Sequence, residues 1–312
     1  MHNAPPEPPE NRLVDGEMSK GAKIDVGSAR RSRPRRSPDV SGSPTVRRRR
    51  LSHLLKELRE AKGFTAQHVT DTLGWSRGKL THIEQNQWKR PNRRDIEDLL
   101  DIYEVTDTER RDAALSLVRQ SRQQGWWVSY SDVWGGGTFV GLEAETRSIR
   151  TFEALAIPGL LQTEEYARTV IKAGGFTDED EIDRRVQARM IRKQVLAGPD
   201  APLYWAVVDE AALRKSLRGQ LEHLLDVQSP RLGVQVIPDS VGPHAALTAP
   251  FVIMDFPEPD PSTVYVSTWS DELFLEKPVH LEQYESLWRH ITASALSVED
   301  SRALIRDLIA TK

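Results

Sequence analysis

The chain has 312 residues, no cysteine, and 43 Lys and Arg against 46 Asp and Glu, for a formal net charge of -3. This length exceeds that of a usual single domain, and the absence of cysteine excludes a disulfide framework and thiolate chemistry. The sequence has no apolar run of about 18 residues and no apolar core of a secretory signal, so we expect a soluble cytoplasmic protein.

The charge is unevenly distributed along the chain. Residues 1–50 hold 12 Lys and Arg against 6 Asp and Glu, whereas residues 101–312 hold 22 against 33. Such a division is typical of an electropositive surface for a polyanion, followed by an acidic domain with a different role. Composition alone therefore favours nucleic acid over membrane as a partner.

The first segment, residues 1–46, is rich in Pro, Gly, Ser and Arg and has almost no large apolar residues. It cannot bury enough apolar surface to offset the entropy cost of ordering, so we predict a disordered arm. Four arginines follow it: Arg47, Arg48, Arg49 and Arg50. They are interpreted either as an arm that contacts DNA or as a solvated tail without a dedicated contact.

Five short helices are predicted over residues 47–124. Apolar residues from Leu51 to Ala61 recur at helical spacing, and Gly63 ends that first helix. Each later helix begins with a residue whose side chain can accept from the first free backbone amides. The predicted N-caps are Thr65, Ser76, Asn92 and Thr106. The sequence therefore predicts a compact all-α domain.

The segment from Phe64 to Asn92, FTAQHVTDTLGWSRGKLTHIEQNQWKRPN, resembles the Xre and phage-repressor family of helix-turn-helix domains. The resemblance covers all five helices. In this family the third helix, here about residues 76–85, is the recognition helix, and its N-terminal end enters the major groove. The residues at or beside the family's base-facing positions are Ser76, Arg77, Gly78, Lys79, Thr81 and His82. The resemblance implies a homodimer that binds double-stranded DNA.

These side chains differ in what they can contact. Arg77 can donate two parallel hydrogen bonds to O6 and N7 of guanine, and a phosphate contact is the alternative. His82 can donate to a purine N7 or reach a phosphate. Gly78 has no side chain, so either the backbone approaches the DNA closely or no base is read there. The family often has glutamine where this chain has Ala66, and Gln67 is the nearest substitute for that phosphate contact.

The loop after the recognition helix also fits the family. Asn86 stands where the family often has glycine in a left-handed cap, and asparagine tolerates positive φ. Lys89 and Arg90 match the loop that contacts the sugar-phosphate backbone and fixes register without reading sequence. Helix bundles with a glycine turn also occur as protein-interaction modules, which is the alternative for this domain.

Residues 126–312 are predicted to form a larger α+β domain. Helices are expected over residues 143–157 and 163–197, and a helical region over residues 281–310 closes the domain. Five strands are expected between these helices, each bounded by Pro, Gly or Asp. Their predicted spans are 203–208, 232–237, 251–256, 263–267 and 273–275.

The stretch from Gly141 to Arg168, GLEAETRSIRTFEALAIPGLLQTEEYAR, is similar to the opening of a domain of unknown function that commonly follows this helix-turn-helix in bacterial regulators. Members are described as antitoxin-like transcriptional regulators, often encoded beside a small partner protein. The resemblance implies that this domain senses, dimerises or binds a partner. Two functions follow: a transcriptional regulator, or an antitoxin-like module that neutralises a small partner protein and only autoregulates.

Neither catalysis nor a bound cofactor is expected. The eight histidines are scattered, and the sequence has no HExxH pair, no GxSxG elbow and no phosphate-binding loop. His244 is a candidate polar group at the mouth of a ligand pocket. The tryptophans either pack in the core or line such a pocket. Those of the larger domain are Trp126, Trp127, Trp134, Trp205, Trp269 and Trp288.

Overall fold

The computed structural model describes residues 44–88, 90–123, 125–247, 249–258, 260–268 and 271–312. The predicted arm lies outside the described residues except for its last three positions. Lys89 and Trp269 also lie outside them. Within the described ranges, no helix is both long and apolar enough to cross a membrane.

The N-terminal part contains the five predicted helices. They are α1 (Pro44–Ala61), α2 (Ala66–Thr72), α3 (Lys79–Glu84), α4 (Arg93–Ile102) and α5 (Thr108–Ser121). Their shared core is formed by apolar side chains such as Leu55, Val69, Leu80 and Leu99, which are fully buried. The predicted all-α fold of this part is confirmed. The predicted caps Thr65 and Asn92 accept from the amides of His68 and Arg94, as expected.

Three helix starts differ from the prediction. α1 begins at Pro44 because its first turns are buried against the C-terminal part, a contact that local composition does not reveal. α3 begins at Lys79, and the residue before it is Gly78 at a φ of 90°, so Ser76 is not the N-cap. Asp107, not Thr106, caps α5, because its carboxylate accepts from the amide of Arg110.

A short connecting region joins this bundle to the C-terminal part. A 3-10 turn (Trp126–Tyr130) leads to α6 (Ser131–Trp134) and α7 (Thr138–Glu143). The indole of Trp127 is buried and lies over Gly137, where an added Cβ would come within 2.2 Å of the ring. Glycine at position 137 thus leaves room for the packed indole of Trp127.

The C-terminal part is built on one six-stranded sheet with the order β3-β2-β1-β4-β5-β6. The strands are β1 (Ser148–Glu153), β2 (Leu203–Asp209), β3 (Leu232–Ile237), β4 (Phe251–Asp255), β5 (Thr263–Ser267) and β6 (Glu272–Leu275). β1, β2 and β3 pair in parallel, and the β1-β4, β4-β5 and β5-β6 pairs are antiparallel. The predicted α+β class is confirmed.

The central strand β1 overturns the helix predicted over residues 143–157. Ile149 pairs with Tyr204 of β2 on one side and with Met254 of β4 on the other. Both partners are distant in sequence, so backbone pairing across the sheet outweighs the local helical pattern. Ile149 and Phe152 are fully buried on opposite faces of the sheet.

Helices cover both faces of the sheet. They are α8 (Glu164–Ala173), α9 (Glu179–Arg192), α10 (Glu210–Arg214), α11 (Arg218–Asp226), α12 (Pro278–Ser294) and α13 (Val298–Ala310). One face packs against apolar residues of α8, α10, α11 and α13, and the other against Trp288 and Ile291 of α12. The described residues form one compact unit.

Candidate nucleic-acid interface

Helices α2 and α3 form a helix-turn-helix with one buried and one exposed side. Val69 of α2 and Leu80 and Ile83 of α3 are buried in the bundle core. On α3 this apolar anchoring leaves Thr81 and His82 exposed on the opposite side. The short helix therefore presents polar side chains to solvent from a fixed base.

The turn before α3 is also exposed. Ser76, Arg77 and Gly78 are all accessible, and a Cβ added to Gly78 would meet nothing within 4 Å. Arg77 makes no ion pair with any residue that the structure describes. Its guanidinium is therefore available to an external acceptor. The open backbone at Gly78 leaves room for a close approach of a partner.

Lys79 is committed to a contact within the protein. Its Nζ lies 2.9 Å from Oδ1 of Asp95 in α4 and 3.9 Å from the centre of the Trp75 ring. The first contact holds the start of α3 against α4, and the second holds it against the turn that precedes α3. The geometry gives Lys79 a positioning role, while its contact with DNA stays a prediction.

Two further predicted contacts are placed by the structure. Gln67 is exposed, and its Nε2 donates to Oδ1 of Asp71 at 2.6 Å, one turn along α2. Arg90 is exposed in the loop after α3. In that loop Asn86 has a φ of 56°, which confirms the predicted left-handed residue. Its Oδ1 accepts from Nε of Arg48 at 3.0 Å, so the loop is tied to α1.

The four arginines predicted as an arm are part of helix α1. Arg49 is 1 % exposed, and its Nη2 donates to the carbonyl oxygen of Pro261 at 2.7 Å. Nε of Arg50 donates to both carboxylate oxygens of Asp260 at 3.1 Å, and Arg47 faces Glu145 at 3.9 Å. The prediction of an arm is therefore wrong for these residues. Arg49 and Arg50 donate hydrogen bonds to acceptors of the C-terminal part, and Arg47 forms an ion pair with a carboxylate there.

Two known families match this chain. A helix-turn-helix domain family matches residues 50–113. A family described as a domain of unknown function (DUF5753) matches residues 137–307, which is more than half of the chain. The chain belongs to the DUF5753 family. No match is found among curated proteins or among solved structures. The helix-turn-helix match and the exposed side of α3 identify a DNA-binding regulator in general terms.

The residues predicted to line a pocket lie in different environments in the connecting region and the DUF5753 part. Nε2 of His244 lies 3.1 Å from Oδ2 of Asp209, and its side chain is 3 % exposed, so it does not stand at a pocket mouth. Trp127 and Trp288 are buried in the core. Trp134, in contrast, lines a cavity of about 380 Å³.

The other polar residues of this cavity were missed by the sequence analysis. Arg189 and Arg192 of α9 line it together with Glu143 and Glu153. A signal was present, because Arg189 follows the buried Ile182 and Val186 at helical spacing and so points toward the core side of α9. A charged residue in phase with buried apolar positions is therefore a candidate for a partly buried polar site. No group of three His, Asp or Glu is placed to hold a metal ion in the described ranges.

Proposed function

We propose that the chain is a sequence-specific transcriptional regulator that reads DNA with α3 and the turn before it. The observation that carries this proposal is that Thr81 and His82 are exposed on a helix whose other side is fixed by Leu80 and Ile83, and that Arg77 is exposed in the turn before it. Major-groove recognition needs hydrogen-bonding side chains at the N-terminal end of a rigidly held helix.

Arg77 is the residue we assign to base reading. Its guanidinium has no partner among the described residues, so binding to guanine does not require an internal ion pair to break. A bidentate contact with O6 and N7 of guanine discriminates by roughly 1 to 3 kcal/mol. Arg90, together with Gln67, is assigned to phosphate contacts, which fix register without reading sequence.

We also infer that the regulator binds its operator as a homodimer of the Xre type. One short recognition helix contacts few base pairs, so two half-sites are needed for the affinity of a typical operator. The proposal assigns no catalytic activity to the chain. The DUF5753 domain is then the part that senses, dimerises or binds a partner.

The proposal is tested by fluorescence anisotropy with the upstream region of the gene and with random DNA, at two salt concentrations. Arg77→Ala is compared with wild type and with Arg306→Ala, which removes the same charge from an exposed position of α13. We expect Arg77→Ala to lose about tenfold to 100-fold in specific affinity and to keep weak, salt-sensitive binding. Equal affinity of wild type for both DNAs, unchanged in the variant, overturns the proposal.

An antitoxin-like function is the second proposal, and it rests on the family resemblance. In that case the DUF5753 domain neutralises a small protein encoded by a neighbouring gene. Co-expression of that protein with the full chain tests it. A stoichiometric complex together with relief of the small protein's toxicity supports the antitoxin function. Separate elution of the two proteins excludes it.

A further inference from the structure

The cavity of about 380 Å³ lies in the DUF5753 domain, on the face of the sheet that α7 and α9 cover. Thr151, Val252 and Tyr265 line it from three neighbouring strands. Aromatic rings of Trp134 and Phe139 line it from the connecting region and from α7. The cavity thus combines an aromatic wall with the charged groups described next.

Two arginines of α9 line this cavity and differ in their partners. Arg192 is neutralised by Glu143, whose two carboxylate oxygens lie 2.6 and 2.8 Å from its nitrogens. Arg189 has no carboxylate partner among the described residues. Its Nη1 donates to Oε1 of Gln162 at 2.7 Å, and its buried Nε has no hydrogen-bond partner.

The environment of Arg189 disfavours its charge. Burial, followed by the charges of Arg192 and Arg185, lowers the pKa of Arg189 to about 10. The side chain is nevertheless cationic at neutral pH. A buried cation without a counter-ion is costly, and a bound anion would offset that cost.

Glu153 is the second unpaired group of the cavity. The structure gives its carboxyl no ion pair and no hydrogen bond within the described residues. Burial raises the pKa of Glu153 to about 7, although the charge of Arg192 opposes this shift. Near neutral pH the group is therefore partly protonated and able to donate a hydrogen bond to a ligand.

We propose that this cavity binds a small aromatic carboxylic acid, with the carboxylate at Arg189, the ring against Trp134, and a polar substituent at Glu153. Phe139 can contribute only its edge, because its ring already contacts Tyr265 and Arg192. An anion supplies the missing partner of the guanidinium, and planar aromatic groups pack well on an aromatic wall. A neutral ligand of the same shape lacks the first of these interactions.

Helix α7 connects this cavity to the DNA-binding part. Its residues Phe139 and Glu143 line the cavity, while Leu142 packs with Val46 of α1. A Cβ on Gly141 would lie 2.5 Å from Oγ1 of Thr45, so glycine lets α7 rest directly on α1. Because one six-residue helix contacts both, we infer that occupancy of the cavity shifts α1 and changes DNA affinity. This coupling rests on the proposed function, whereas ligand binding does not.

Ligand binding is tested by calorimetry on the full chain without DNA. The acidic probes are 4-hydroxyphenylacetate, other phenylacetates and benzoates. The neutral probe is the amide of the first acid, 4-hydroxyphenylacetamide. Arg189→Gln is compared with Arg185→Gln, a substitution one turn earlier in α9 at a residue that pairs with Glu181. We expect the acid to bind at least tenfold tighter than the amide, and Arg189→Gln to abolish that difference while Arg185→Gln retains it. Folding of both variants is checked by thermal unfolding.

Two results overturn the ligand assignment: equal binding of acid and amide, or no Arg189-dependent binding of any aromatic carboxylate at millimolar concentration.

Coupling between the cavity and the DNA-binding part is tested by measuring the operator affinity with and without saturating acid. We expect a change of at least about fivefold in wild type and none in Leu142→Ala, which still binds the acid. An unchanged operator affinity in wild type overturns the coupling. Because the calorimetry contains no DNA, a failure of DNA binding leaves the ligand assignment standing.

Discussion

Nε of Arg49 lies 2.8 Å from Oε1 of Glu276, so an ion pair joins the first helix of the DNA-binding part to the segment that follows β6. The guanidinium also lies 4.8 Å from the centre of the Phe256 ring. Arg49 is only 1 % exposed, whereas the Glu276 side chain is 33 % exposed, so a buried guanidinium meets a partly exposed carboxylate between the two parts of the chain. The helix-turn-helix is therefore packed on the DUF5753 domain through α1.

Replacing Arg49 should destabilise the protein. We expect Arg49→Ala to lower the free energy of unfolding by about 3 kcal/mol, because it leaves Glu276 and the carbonyl of Pro261 without their buried partner. Urea unfolding measures this loss. Arg110→Ala, at an exposed position of α5, is the control and should change stability by less than about 0.5 kcal/mol. Equal stability of the two variants would contradict a stabilising role of the Arg49 contacts.

The same contact predicts a loss of stability in acid. Burial raises the pKa of Glu276, but the hydrogen bond from His53 and the charge of Arg49 outweigh it and hold the pKa below the ordinary 4.5. The ionised Glu276 carboxylate therefore stabilises the folded state above pH 4.5. This stabilisation is lost as the pH falls through the lower pKa of the folded state. Between pH 5 and pH 3, the free energy of unfolding should fall less steeply with falling pH in Glu276→Gln than in wild type. Identical slopes for both proteins would show that the carboxylate is not engaged.

Glu153 predicts the opposite pH dependence. Because its pKa is raised to about 7, the folded state keeps a proton that the unfolded chain loses near pH 4.5. This stabilisation is present at low pH and is lost as the pH rises from about 4.5 to 7. We expect Glu153→Gln to be more stable than wild type at pH 8 by about 3 kcal/mol, with the difference vanishing near pH 4. Thermal unfolding across this range measures it, and parallel curves would refute the shifted pKa.

Gly78 is expected to be intolerant of a side chain for a conformational reason. Its φ of 90° strains any L residue, although a Cβ there would meet no neighbouring atom. Gly78→Ala should cost about 1 kcal/mol of stability and weaken DNA binding by misplacing the start of α3. Gly219→Ala in α11 is the control, since that site is equally open and has no positive φ. Calorimetric unfolding measures the stability of both variants. Equal changes in Gly78→Ala and Gly219→Ala would contradict backbone strain at position 78.

The fold was predictable where its signals are local. The spans predicted for β3 and β5 agree with the structure, because turn residues bound each apolar run. The central strand β1 was missed because its pairing partners lie in β2 and β4, far along the chain. Pairing with strands so far along the chain cannot be deduced from the spacing of apolar residues near β1.

The candidate site was likewise predictable where it depends on local spacing, but not where it depends on distant partners. The exposed side of α3 follows from the spacing of Leu80 and Ile83, and the structure agrees. The arginine run was misinterpreted because the partners of Arg49 and Arg50, Pro261 and Asp260, lie more than 200 residues away. Composition shows that a segment is basic, but it does not show which acceptor binds each arginine.

The claim that α3 reads DNA sequence is tested most directly by selecting binding sites from a random DNA library with wild type and with Arg77→Ala. Wild type should enrich a site with two half-sites about one helical turn apart. The variant should enrich the same site with one guanine position in each half-site now degenerate. An identical motif from both proteins, or no motif from wild type, would contradict sequence reading by Arg77.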